Sequence, residues 1–229
     1  PRTLGIALAA AAAAATLLVA GLAHLDAAGW GALAGLLLVF AAGLVDDLVA
    51  SGPRGLRSHL RSLAAGRMTT GILKLLVTSG ASVVVVALQP SRAGYARVLG
   101  VVLLAACANV WNGLDVRPGR ALKAFLVPGV VFLVWGELEH APAIAGLVAG
   151  AVVVLPLDLR ERAMLGDGGA NLLGFAAGLG LYGVLSDAWV PAAAAIALAL
   201  NVIADTVSLS RVIEAAPPLR FVDGLGRRA

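Results

Sequence analysis

The sequence predicts an all-α integral membrane protein, a single multi-pass domain over residues 1–229 with about eight transmembrane helices in one bundle and both termini in the cytoplasm. Three observations carry this expectation. Of 229 residues, 60% are hydrophobic and 13% charged, against about 25% charged in ordinary soluble domains. Mean hydropathy is +0.95, more than a soluble core accounts for over this length. The charges fall in short segments between apolar runs, as the positive-inside rule expects of a multi-span chain.

The spans run approximately over residues 4–22, 29–46, 70–88, 98–113, 121–137, 142–157, 170–186 and 189–209. The first is too long for the apolar core of a signal peptide and is followed by further spans, so it reads as a span itself. The second ends on Asp46-Asp47, and Gly52-Pro53 then breaks the chain. Between Gly52 and Gly71 lies the longest polar stretch. There Leu56, Leu60 and Leu63 share one helical face and Arg54, Arg57 and Arg61 another, which predicts a short amphipathic helix along the inner surface. Such arginines are suited to anionic lipid, and Arg57 and Arg61 also to a substrate phosphate. Several later runs sit at or below the roughly 17–25 residues that a span needs, so their helices are expected to extend into the polar segments.

The formal charge is +4 and the pI about 10.0. Position, not total, decides its meaning. All Lys and Arg residues except Arg92 and Arg97 fall in one set of alternate segments, which is therefore assigned to the cytoplasm. No nucleic-acid partner is expected. The opposite segments carry Asp26, Glu137, Glu139, Asp187, His24 and His140, with no catalytic pattern. The lone cysteine, Cys107, lies inside an apolar run and reads as a small core residue.

Three polar constellations fall at the cytoplasmic span ends. Asp46 and Asp47 are adjacent carboxylates at the end of an apolar run, where a charge is costly and the two repel unless a cation or proton stands between them. Neighbours on a helix point about 100° apart, so the two are not expected to be equal ligands. Asn109, Asn112 and Asp115 recur every three residues near one helical face and can hydrogen-bond a nucleobase, a sugar amide or an Asp; interhelical packing is the plainer alternative. Asp167-Gly168-Gly169 opens a span, where free N–H groups and the helix dipole favour an anion. Hard oxygen donors of this kind suit Mg2+, with Asp46, Asp47 and Asp167 as candidate ligands, Asp167 and Asp47 foremost. Asp205 lies about a turn inside the last span with Asn201 one turn earlier, a supporting or helix-packing pair.

In this order the motifs resemble those of the polyprenyl-phosphate N-acetylhexosamine-1-phosphate transferases, the superfamily of phospho-MurNAc-pentapeptide transferase. The matching pieces are Gly43-Leu44-Val45-Asp46-Asp47, Asn109-Val110-Trp111-Asn112-Gly113-Leu114-Asp115, Leu165-Gly166-Asp167-Gly168-Gly169-Ala170, and Asp205-Thr206 with Arg211, Phe221 and Asp223. The resemblance implies transfer of a sugar-1-phosphate from a UDP-sugar to a polyprenyl phosphate, with release of UMP, at the cytoplasmic face of a bacterial plasma membrane. It implies Mg2+ on Asp167, Asp46 or Asp47 assisting the lipid phosphate, Asn112 and Asp115 holding the nucleotide-sugar, and a homodimer. The chain departs from the family at Leu48-Val49-Ala50, Pro118, Ala170 and the tail from Phe221, and is expected to lack one or two of the family's N-terminal helices. A non-catalytic paralogue acting as a membrane scaffold is the main alternative. A transporter is the third, although the acids gather at one face and no inverted repeat is visible.

Overall fold

The computed structural model describes residues 3–22, 24–49, 61–62, 64–66, 68–89, 92–135 and 141–226. Arg57 and most of the expected amphipathic segment lie outside the described residues. The elements are α1 (Leu4–Leu22), α2 (Ala27–Val49), α3 (Thr70–Leu88), α4 (Gly94–Leu114), α5 (Arg120–Trp135), α6 (Ala141–Leu159), α7 (Gly166–Val184), α8 (Val190–Thr206), α9 (Leu209–Ala215) and α10 (Pro217–Gly224). Among the described residues there is no strand.

The chain is a multi-pass helical membrane protein. Helices α1, α2, α3, α4 and α6 are each long and apolar enough to cross a bilayer, and α8 with α9 makes a sixth if that pair, bent by 99°, counts as one span. The expectation of eight is reduced at two helices for different reasons. Helix α5 has 16 residues and begins on Arg120 and Lys123. Helix α7 is long enough at 19 residues, but it is rich in glycine and carries Asp167 and Asn171.

Helix α7 sits at the centre, buried along nearly its whole length, and it packs most extensively on α2 and α4, with α1 and α5 closing round it. A helix sheathed by protein needs no lipid-facing hydropathy; it needs small residues that let neighbouring backbones approach. Gly174 and Gly178, one turn apart, lie directly on the backbone of Cys107, Ala108 and Leu104 in α4. The outer helices leave Leu17, Leu18, Val84, Val98, Val127 and Val153 exposed, as a lipid-facing surface would.

Gly43 sets the approach of α2 to α7. A Cβ there would stand 2.6 Å from Gly168 Cα and 2.7 Å from Asp167 O, backbone atoms that cannot swing aside. Gly43→Ala is therefore expected to cost about 1–3 kcal/mol, as overpacking does. A detergent-solubilised variant should show a clearly lowered thermal midpoint; an unchanged one would contradict the contact.

Far from the acids, Arg92 closes the opposite end of α7. Its guanidinium donates to Leu185 O at 2.8 Å and Gly183 O at 3.3 Å, pairs with Asp187 at 3.5 Å, and lies 4.4 Å from the centre of the Tyr182 ring. A cation on the last carbonyls of a helix satisfies unpaired acceptors and complements the dipole. One of the two basic outliers of the charge pattern, Arg92, is thus a helix cap.

Candidate functional site

The direction of successive helices brings the C-terminal ends of α2, α4 and α6 and the N-terminal ends of α3, α5 and α7 to one end of the bundle. Asp46 and Asp47 arrive there from α2, Asn112 and Asp115 from the end of α4, Asp158 from α6, and Asp167 from the first turn of α7. Lys74 arrives from the first turns of α3, whose start is capped by the Thr69 hydroxyl accepting from the Ile72 N–H at 3.3 Å.

Lys74 is the centre of the arrangement. Its ammonium stands 2.7 Å from Asp167 Oδ2 and 3.1 Å from Asp46 Oδ2, with the side chain only 13% exposed. The Asn112 amide, turned with its nitrogen to Asp167 and its oxygen to Lys74, donates to Asp167 Oδ1 at 3.2 Å and accepts from Lys74 Nζ at 3.2 Å. Carboxylates from α2 and α7 share one cation, and an amide from α4 bridges that cation and Asp167. Such charge-assisted bonds inside a poorly solvated bundle are stronger than neutral ones.

Asp47 points elsewhere, as two neighbours 100° apart on a helix must. Its Oδ2 accepts from the Gly168 N–H at 3.1 Å, so an anion does sit at the start of α7, and it is a side chain of α2. Gly168 and Gly169, which the sequence places where an anion such as a substrate phosphate would approach, are both buried, Gly168 against Phe40 and Leu44 and Gly169 against Gly5 of α1. In this structure they serve helix packing.

Asp115 caps the end of α4, its N–H donating to Trp111 O, and its carboxyl lies near the Gly166 N–H. Gly166 has φ +73°, a left-handed conformation that a Cβ would strain. Burial pushes the Asp115 carboxyl up to about 7, and the charges of Asp158, Asp167 and Asp47 add to the effect. The folded value lies above the ordinary 3.8. The stability that the neutral form contributes is therefore complete below about pH 4 and is lost as pH rises through about 7. In metal-free buffer the wild type should lose thermal stability over that window, and Asp115→Asn should flatten the loss. Parallel profiles for the two proteins would remove Asp115 as the cause.

Not every expected residue joins the cluster. Asn109 is exposed and donates to Asn201 Oδ1 of α8, while Asn201 Nδ2 donates to Ala106 O at 3.0 Å and Ala197 O at 2.8 Å. That is the interhelical packing alternative. Arg61 is exposed, and Asp205 lies exposed at the end of α8.

Lys74 and Asp158 enter from outside the expected set. Asp158 is 5% exposed and its Oδ2 accepts from the Gly119 N–H at 2.7 Å. Both were signalled by the same rule as Asp46: an ionisable residue within an apolar helix marks a site or a partner. In the sequence Lys74 reads only as one of the basic residues that set the topology.

Among the described residues no group of three or more His, Cys, Asp or Glu side chains is arranged to hold a metal ion. The donor chemistry nevertheless suits a hard cation. Asp46, Asp47 and Asp167 offer carboxylate oxygens at one bundle end, and Mg2+ commonly uses one or two carboxylates, completing its shell with substrate phosphate and water. No protein-family model, curated protein or solved structure matches the chain.

Proposed function

We propose that this protein transfers a sugar-1-phosphate from a UDP-sugar to a polyprenyl phosphate, releasing UMP, as a step of bacterial cell-envelope glycan synthesis. The observation that supports it best is the meeting of Asp46, Asp167 and Lys74 with Asn112 at one end of a membrane bundle. A reaction between a lipid and a water-soluble nucleotide suits a charged site at a bilayer face. In this reading the face is cytoplasmic, both termini lie on that side, and eight helices cross or re-enter the bilayer, α5 and α7 among them.

An oxygen of the lipid phosphate attacks the sugar-linked phosphorus of the UDP-sugar. The bond from that phosphorus to the bridging oxygen breaks, and UMP leaves with the electron pair. Phosphoryl transfer of this kind is mostly positioning and neutralisation of charge. Asp46 or Asp47 orients the lipid phosphate and takes any proton it carries. Asn112 and Asp115 hold the nucleotide-sugar, and Lys74 is placed to balance charge among the phosphates. Asp167 and Asp47 would hold Mg2+, which when bound neutralises phosphate oxygens and favours the leaving group.

The test is UMP release from UDP-GlcNAc in membranes supplied with undecaprenyl phosphate and Mg2+. Turnover that needs both substrates is expected; none with any nucleotide sugar would overturn the reading. One observation favours the scaffold alternative: Asp46 and Asp167 are already ion-paired with Lys74. In that case Asp46→Asn should leave the cellular phenotype unchanged.

A further inference from the structure

We propose that Lys74 is a built-in competitor for the divalent cation, holding the carboxylate oxygens that a metal would need and setting how tightly the site takes one. This rests on reading the site as metal-assisted, but not on which reaction the metal serves.

The oxygens in question are already engaged. Asp167 Oδ2 and Asp46 Oδ2 both face the Lys74 ammonium, at 2.7 Å and 3.1 Å, and Asp167 Oδ1 faces the Asn112 amide nitrogen at 3.2 Å. A cation on Asp167, whose side chain is 35% exposed, therefore meets a positive neighbour that is itself only 13% exposed, so solvent screens the two only in part. Either the metal is held weakly beside that ammonium, or Lys74 gives up its two carboxylates first. Its long, flexible stem allows the second course. In both cases the charge of Lys74 works against the metal.

The rest of the cluster would favour a cation. Asp47 and Asp158 add negative charge at the same bundle end. Among the described cationic side chains there, Lys74 alone is seen to bridge two of the acids from separate helices. The neighbouring Arg120 and Lys123 are committed to the tail: Arg120 to Asp223 and Ser210, and Lys123 to the carbonyls of Val222, Asp223 and Leu225. Removing the charge of Lys74 thus leaves its two carboxylates without that counter-ion and opens the position between them.

The probe is Mn2+ alone, followed by electron paramagnetic resonance on the full chain in detergent. Lys74→Gln keeps a hydrogen-bond donor and loses the charge; it should bind Mn2+ about tenfold tighter than wild type, or more. Lys74→Arg keeps the charge and should stay near wild type. Equal or weaker binding by Lys74→Gln overturns the proposal, and so does an absence of Mn2+ binding in both proteins. A second measurement needs no variant. The chain has two lysines, Lys74 and Lys123, so 15N-lysine labelling resolves them. Saturating Mg2+ should shift the Lys74 ammonium resonance and leave Lys123 in place; an unmoved Lys74 overturns the proposal. Neither readout involves UDP-sugar or lipid, so a failed transfer assay and a failed competition are separate results.

Discussion

Asp167→Asn is expected to abolish UMP release, lowering the rate by at least about a hundredfold, the scale on which loss of one preorganised charge-stabilising group is felt. The substitution preserves the size of the side chain, removes its charge and turns one of its two acceptor oxygens into a donor. Asp167 is the residue on which α3, α4 and α7 converge, since Lys74 and Asn112 both contact its carboxylate. Losing that charge leaves Lys74 with Asp46 alone and takes the chief candidate ligand from Mg2+. The measurement is the initial rate in membranes at matched protein levels, with the thermal midpoint of the purified variant as a check on folding. Near-normal turnover by a folded variant would sink the assignment of Asp167.

Asp223→Ala is expected to destabilise the anchorage of the tail by about 3–5 kcal/mol, the cost of breaking a buried ion pair from one side. Arg120 Nε and Nη2 donate to the two Asp223 oxygens at 2.7 and 2.9 Å, with the side chains 4% and 7% exposed. Arg120 opens α5, where the helix dipole disfavours a cation, so without Asp223 its charge is both buried and badly placed. Together with the bonds of Lys123 to the carbonyls of Val222, Asp223 and Leu225, the pair ties α10 to the bundle after the bend between α8 and α9, a bend marked by Ser208 at φ +74°. Faster tryptic cleavage at Arg211 and Arg220 is the expected readout. Replacing both partners with apolar residues, as in Arg120→Met with Asp223→Leu, should recover much of the loss. A single variant as resistant as wild type would show that other contacts hold the tail.

The sequence by itself determined the solvent and the end of the bundle. Lipid demands long apolar helices, and the composition states this without any tertiary information: α1 lies over the expected residues, and α2, α3, α4 and α6 overlap their expected runs. Because successive helices reverse direction, the segment lengths also fixed that Asp46, Asp47, Asn112, Asp115 and Asp167 would share an end. What hydropathy cannot report is which helix is sheathed by protein. Helix α7 reads as a weak span for the same reason that it is central: glycines replace lipid-facing bulk so that neighbouring backbones can close on it.

Only the tertiary structure decided the partners. The choice of Asn201 for Asn109, of the Gly168 N–H for Asp47, and of Lys74 for Asp46 and Asp167 depends on how helices distant in sequence rotate and approach. Helical periodicity fixes directions within one helix and is silent between two. The phase between α2 and α7 is set by contacts such as Gly43 on Gly168, where a single methyl group would part them. That phase turns an ordinary-looking lysine near the start of a span into the cation at the centre of the site.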